Sequence, residues 1–76
     1  MSFRLYYHLT NGRDLIIDRS GRNVRSFHDI ETTAFSLAGQ LMSRSPGAED
    51  WSGWLVSVHD RCGTMITVVP FPGGQA

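Results

Sequence analysis

The stretch from Trp54 to Phe71 constrains the fold more than any other part of the chain. It contains two runs rich in β-branched residues, joined by Asp60-Arg-Cys-Gly63 and closed by Pro70-Phe71. Asp at the first position and Gly at the last are typical of a tight turn, and a proline cannot continue a hydrogen-bonded ladder. The stretch therefore predicts a β-hairpin with strands at about 54–60 and 64–69.

The alternation of side chains selects the register of this hairpin. A bulged turn with Gly63 in the left-handed region pairs Val58 with Ile66, so that apolar residues share a face. A two-residue loop would instead pair Val56 with Thr67 and mix apolar with polar residues. We expect the bulged register, which places five apolar residues on the side that faces the core: Trp54, Val56, Val58, Ile66 and Val68.

A second hairpin is predicted near the start of the chain. Residues 3–9 alternate between apolar and polar side chains, and residues 14–18 form an apolar run flanked by aspartates. Between them, Asn11-Gly12 is a strong hairpin signal. These residues predict two antiparallel strands joined by a short loop.

The register of the first hairpin also follows from side-chain parity. A two-residue loop would set Leu5 opposite Asp18, whereas a three-residue loop with Gly12 in the left-handed region sets Leu5 opposite Ile17. The longer loop keeps the core face apolar and also sets His8 opposite Asp14, which cross-strand electrostatics favour. We expect the three-residue loop.

One helix is predicted at about 27–44. Ser26, with Asp29 three residues later, resembles a helix N-cap with an acidic third position. The segment before it, 22–25, is interpreted as a polar connection that follows an Asp18-x-x-Gly21 turn, and Pro46-Gly47 should end the helix. Five apolar residues at helical spacing define the stripe that would pack on the sheet: Ile30, Ala34, Leu37, Ala38 and Leu41.

The order strand, strand, helix, strand, strand predicts the α+β class, with a two-layer ββαββ domain formed by residues 1–76. One helix would cover one face of a four-stranded, mostly antiparallel sheet. A strand order of 2-1-3-4 makes every pair antiparallel, and the alternative order 1-2-3-4 would contain one parallel pair. We expect the tail at 73–76 to be frayed.

Composition excludes several classes of protein. The chain has 76 residues, zero formal net charge and one cysteine, Cys62, which excludes an internal disulfide and suits a reducing compartment. No apolar run is long enough for a membrane span, and the first residues lack the pattern of a signal peptide. We expect a cytoplasmic protein, not one of the membrane, and small enough for dimerisation to contribute to its stability.

Several short motifs are similar to those of one family of short bacterial proteins. They are Tyr6-Tyr7-His8, the Asn11-Gly12 turn, Asp18-x-x-Gly21, Trp54-x-Val-x-Val-x-Asp-x-x-Gly63 and Pro70-Phe71. The chain resembles this domain-of-unknown-function family, whose first strand carries Tyr-Phe-His, over residues 3–71. The resemblance implies the same architecture, and it implies no activity, catalytic residue or cofactor. Thr32-Thr33 and Ser36 depart from the family's helix, which is richer in alanine and charge.

The expected registers place many apolar side chains on the sheet face away from the helix. Such patches usually mark an interface. We therefore predict a small interaction or regulatory module that forms a homodimer or binds a protein partner through this face. The alternative is that the tail around Phe71 or the loop around Trp51 covers it. The predicted contact residues are Tyr6, Ile16, Leu55, Met65 and Val69.

Two polar groups suggest other functions. His8, Asp14 and His59 would lie on the same face, with the two histidines adjacent if their strands are neighbours, which raises a metal-binding or hydrolytic hypothesis. The spacing matches no metal motif, so we assign no catalytic residue, metal or cofactor, and a surface pairing of histidine with carboxylate is favoured. A nucleic-acid-binding regulator is the other alternative, which zero net charge disfavours. It would use an arginine cluster formed by Arg13, Arg19, Arg22 and Arg25.

Overall fold

A computed structural model describes residues 3–44 and 50–72 of the chain. Within these residues, one helix packs on one face of an antiparallel sheet, which confirms the α+β class. The sheet order is β2-β1-β4-β5, with β3 also paired to β1. The elements are β1 (Phe3–Thr10), β2 (Leu15–Ile16), β3 (Arg22–Val24), α1 (Phe27–Arg44), β4 (Leu55–Asp60) and β5 (Met65–Pro70).

The four predicted strands lie in the expected order, and β3 is an addition to them. It pairs with the first half of β1, so that Phe3 lies opposite Val24, while β2 pairs with the end of β1. The segment at 22–25 was expected to be a polar connection. A strand of three residues with one buried side chain, Val24, has no alternation that a sequence pattern can detect.

The predicted register of the first hairpin is wrong. Leu9 pairs with Ile16 and Thr10 with Leu15, so the loop contains four residues. Side chains build this longer loop: Asn11 Oδ1 accepts hydrogen bonds from the N–H groups of residues 13 and 14 at 2.9 and 2.7 Å. Gly12 has the expected positive φ, 91°.

The second hairpin begins in the predicted register and then leaves it. Gly63 has a φ of 88°, and His59 pairs with Met65 as the bulged turn requires. A further irregularity follows directly, so that Val58 pairs with Thr67 instead of Ile66. Each later β5 residue is therefore shifted by one position, which exchanges the two faces. Val68 therefore lies on the outer face, although it was expected in the core. Val69 occupies the core position instead.

The core lies between α1 and the inner face of the sheet. Ile30, Ala34 and Ala38 are the buried residues of α1, as the predicted stripe requires, and Leu37 and Leu41 pack at its margin. The sheet contributes alternate residues of β1 and β4, and an aromatic cluster closes one end. The buried strand residues are Leu5, Tyr7, Leu9, Val24, Val56, Val58 and Val69, and the aromatic cluster consists of Trp51, Trp54 and Phe71.

The bounds of α1 agree with those predicted from its periodicity. At its start, the Asp29 backbone N–H donates to Ser26 O at 3.1 Å. The Asp29 carboxylate accepts a hydrogen bond from the Arg25 N–H at 3.3 Å, one residue earlier than a capping box would have it. The predicted stop at Pro46-Gly47 and the tail at 73–76 lie outside the described residues.

Candidate functional site

The outer face of the sheet is the side that α1 does not cover. Pairing partners share a face, so the registers across β2, β1, β4 and β5 assign its residues. Cross-strand neighbours form rows on this face, with aliphatic side chains toward the margins and polar side chains in the middle. From one end to the other, the rows are Leu15, Thr10, Leu55 and Pro70; His8, Ser57 and Val68; Tyr6, His59 and Met65; and Asn23 and Arg4.

Residues of β1 on the outer face hold the turn between β2 and β3 in place. The Arg4 guanidinium donates two hydrogen bonds to Ser20 O, at 3.0 and 2.6 Å, and one to the Asn23 side chain. The Tyr6 ring lies so close to Gly21 that a Cβ there would be 2.9 Å from Tyr6 Cε2. Gly21 also has a φ of 76°, so both its conformation and its packing require glycine.

Asp18 connects this turn to β1 through its carboxylate. Oδ1 accepts hydrogen bonds from the N–H groups of Ser20 and Gly21, and Oδ2 accepts one from the Tyr7 N–H at 3.1 Å. Partial burial alone would raise the pKa of Asp18. The three backbone donors and the nearby Arg22 outweigh it and lower that pKa below its ordinary value. Asp18 is therefore ionised at neutral pH. Its carboxylate binds the Tyr7 N–H in the part of β1 that pairs with neither β2 nor β3.

His8 and His59 lie side by side at the centre of the outer face. Their ring centroids are 5.0 Å apart, and His8 Nδ1 accepts a hydrogen bond from the Asp18 N–H at 3.0 Å. Burial lowers the pKa of His8, and His59 lowers it further, although the Asp18 carboxylate acts in the opposite direction. Because Nδ1 is an acceptor here, the neutral ring is the form that fits.

His59 also interacts with Ser57, its neighbour on the same strand and face. The Ser57 Oγ and His59 Nε2 atoms are 2.7 Å apart, and His59 Nδ1 lies 3.3 Å from Gly63 O. A carbonyl can only accept, so Nδ1 is the donor in that contact, and in the tautomer with Nε2 unprotonated the serine hydroxyl donates to Nε2. A hydroxyl that donates to an imidazole is the arrangement by which a histidine activates a serine nucleophile. Two cavities of the described residues, one beside the start of α1 and one beside Phe35, are lined by other side chains and do not include this pair.

The structure assembles only part of the polar cluster predicted from the sequence. It brings His8 and His59 together, as the strand order requires. Asp14 lies instead in the first loop, where its carboxylate contacts the Asn11 amide at 3.4 Å. Within residues 3–44 and 50–72, no three His, Cys, Asp or Glu side chains are grouped closely enough to hold a metal ion. Sequence reasoning missed Asp18 and Ser57 as the polar neighbours of the histidines.

Three of the five predicted interface residues lie on the outer face. They are Tyr6 and Leu55, which are half-buried, and Met65, which is 57% exposed. The other two are corrections that follow from the changed registers. Val69 is 7% exposed in the core, and Ile16 pairs with the buried Leu9 and so lies on the inner side.

The aromatic side chains proposed to cover this face lie elsewhere. Trp51 stacks on Phe71 with ring centroids 5.8 Å apart, and both contact Trp54. Phe71 and Trp54 are members of the core, and Trp51 packs against it. Within the described residues, the outer face is therefore left without a covering layer.

The four predicted arginines are spread along the margin of the sheet. Arg13 lies in the loop after β1, and Arg19 lies in the turn held by Arg4. Arg22 begins β3, and Arg25 precedes α1 beside the opposite end of β1. A strand of eight residues spans about 25 Å, so Arg13 and Arg25 do not belong to one compact patch.

Comparison with known proteins gives a family but no activity. A family model described as a domain of unknown function (DUF6894) matches residues 4–72. The chain belongs to this family. The match confirms the resemblance to a family of unknown function. No curated protein and no solved structure matches the chain. In the part of the chain that the structure describes, the helix is not long and apolar enough to cross a membrane.

Proposed function

We propose that the protein is a small interaction module that forms a homodimer by packing the outer faces of two sheets together. The observation that carries the proposal is the absence of a covering layer over this face within residues 3–44 and 50–72. Leu15 and Met65 on this face are 58% and 57% exposed. An apolar patch on one side of a sheet usually marks an interface in so small a domain.

The distribution of polarity favours a second copy of the chain as the partner. In a two-fold interface each patch meets its own counterpart, so a face dense in one sign of charge would repel itself. Among the strand residues that the registers place on the outer face, Arg4 is the charged one, and its guanidinium is already bonded to Ser20 O. His8, whose neutral ring is the form that fits, lies in the centre and can meet its symmetry mate without a charge penalty.

The size of the face is also sufficient. The five strands contain 25 residues, which at a rise of about 3.3 Å and a strand spacing of about 4.8 Å cover roughly 400 Å² in projection. Side-chain relief raises the accessible area to about 600–700 Å² per protomer, and two protomers then bury about 1,300 Å², near the lower limit of specific interfaces. We therefore expect reversible association at micromolar concentration rather than a permanent dimer.

A cytoplasmic location forms part of the proposal. Cys62 is exposed and unpaired. Free thiols of this kind are kept reduced in the cytoplasm, whereas oxidising compartments favour their pairing.

Sedimentation equilibrium between 1 µM and 1 mM tests the proposal, with these concentrations chosen to bracket the expected affinity. The proposal predicts a shift from monomer to dimer for the wild-type chain and a monomer for Met65→Asp and Leu15→Asp. The matched control is Phe35→Asp, which changes a large apolar side chain of α1 that is 41% exposed and does not belong to the outer face. A wild-type chain that stays monomeric at 1 mM would refute self-association, and a dimer lost only in Phe35→Asp would place the interface on the helix.

A further inference from the structure

An apolar cavity of about 780 Å³ opens at the end of the core where α1 begins. Its apolar lining lies toward the inner side of the sheet, and Arg4 of the outer face reaches its rim. Two of its aromatic residues are unusually exposed for large apolar side chains, Phe27 at 82% and Phe3 at 57%. Its apolar lining consists of Phe3, Leu5, Val24, Phe27, Ile30 and Ile66.

We propose that this cavity binds a small amphipathic carboxylate, with the apolar body inside and the carboxylate at the rim. A volume of this size is within the range of small-molecule sites, which are mostly apolar with a few polar groups that orient the ligand. The apolar lining of the cavity includes neither Leu15 nor Met65, the residues that test the proposed dimer. It therefore extends the function beyond self-association.

The charged groups at the rim determine the sign of the ligand. Arg25 and Arg61 line the cavity, and neither guanidinium forms a hydrogen bond or ion pair with any residue that the structure describes. Guanidinium groups bind carboxylates through paired hydrogen bonds, which an ammonium cannot match. Two uncommitted arginines beside an apolar cavity therefore favour an anionic head group.

The other charged residues of the rim are already engaged. The Asp60 carboxylate accepts hydrogen bonds from the Cys62 and Thr64 N–H groups at 2.9 Å, which hold it in its own turn. Arg4 is bonded to Ser20 O and Asn23. The charge available to a ligand is consequently positive.

The position of Ile66 explains why the cavity is open. The irregularity in β5 gives this strand an extra residue between the partners of Val58 and His59. Ile66 thereby lines the cavity while remaining 40% exposed, instead of pairing with Val58 in the closed core. A ligand would complete the burial of Ile66, Phe3 and Phe27 without any change in the backbone.

Titration of the ¹⁵N-labelled full chain with octanoate, followed by NMR, tests the site. We expect the amide shifts to concentrate at Phe3, Val24, Phe27 and Ile66. Octanoate should bind about tenfold or more tightly than either acetate, which lacks the apolar body, or 1-octanol, which lacks the charge. If acetate binds as tightly as octanoate, the site is only a surface arginine contact. If 1-octanol binds as tightly, the site is an unselective apolar groove. Either result overturns the proposal.

Variants make the test specific to the rim. The double variant R25E/R61E should weaken octanoate binding about tenfold or more, because it replaces two attractive charges by repulsive ones. Arg13→Glu, at the far end of the sheet, is the matched control and should bind like the wild type. An equal loss of octanoate binding in Arg13→Glu would overturn the proposal. Amide shifts at Phe27 that change with protein concentration in the absence of octanoate would also overturn it, because the cavity would then be occupied by a second copy of the chain.

Discussion

Replacement of Asp18 by alanine should remove the carboxylate that connects the β2–β3 turn to the backbone of β1. Its carboxylate accepts three backbone hydrogen bonds, from the N–H groups of Tyr7, Ser20 and Gly21, at 3.1, 3.1 and 2.9 Å. The three losses are unequal. The Ser20 amide belongs to an exposed residue and can bond to water instead. Tyr7 is buried, so its amide would be left without a partner.

The expected loss of stability follows from these three bonds. A buried donor left without a partner costs about 1–3 kcal/mol, and hydrogen bonds to a charged group are worth about 1.5–3 kcal/mol each when buried. With the Tyr7 N–H unsatisfied and the turn released to solvent, we expect Asp18→Ala to lower the free energy of unfolding by about 2–4 kcal/mol. A domain of this size has about 3–5 kcal/mol in total, so the variant should lose most of its stability and unfold at a much lower urea concentration.

Asp18→Asn separates the two parts of this effect. Its remaining oxygen can keep the turn bonds to Ser20 and Gly21, while its NH₂ group opposes the Tyr7 N–H, and we expect a loss of about 1–3 kcal/mol. Asp14→Asn is the matched control, because Asp14 is exposed and contacts only its own loop. It should change the stability by less than about 0.5 kcal/mol.

Urea unfolding followed by the fluorescence of Trp51 and Trp54 measures these differences, since the two rings lie 5.4 Å apart in the aromatic cluster and separate on unfolding. The pKa of Asp18 is lowered on folding, so its contribution is complete above the unfolded value of 3.8 and decreases as the pH falls through the folded value. If Asp18→Ala and Asp14→Asn unfold at the same urea concentration, the Asp18 carboxylate does not hold the turn and this reasoning is wrong.

Two further predictions concern the same turn and the histidine beside it. Gly21→Ala should destabilise the fold by about 2–3 kcal/mol, against about 1–2 kcal/mol for Gly12→Ala, as measured by urea unfolding. Both positions have positive φ, but only at Gly21 does the new Cβ collide with Tyr6. The pKa of His8 is lowered on folding, so the melting temperature should fall as the pH decreases below 6.5, the unfolded value. His8→Asn keeps an acceptor but cannot be protonated, and a fall of the same size in this variant would exclude His8 as the cause.

The parts of the fold that repeat with a regular period could be predicted from the sequence. Alternation in β1 identified Leu5, Tyr7 and Leu9 as core residues, and the 3.6-residue period located α1. The registers could not be predicted in the same way. The register of the first hairpin depends on the side chains of Thr10 and Asn11, which form hydrogen bonds within a four-residue loop. The register of the second depends on an irregularity in β5 that no residue type in the sequence indicates.

The candidate site shows the same division. His8 and His59 were expected to meet because the strand order alone brings them together. The bond between His8 and the Asp18 backbone depends on how the chain doubles back after β2, which no local pattern specifies. Ser57 was predictable as an outer-face residue, but its contact with His59 depends on rotamers rather than on spacing.

Both margins of the sheet limit how it can associate. One margin is divided into β2 and β3, with two and three residues, separated by the turn that Asp18 holds. The other margin, β5, is bent by its irregularity and ends at Pro70, which has no N–H to donate. Interrupted strands of this kind cannot template a continuous ladder with another molecule, which protects small sheets from edge-to-edge aggregation. Any assembly of this protein should therefore stack sheet on sheet rather than extend one sheet across two molecules.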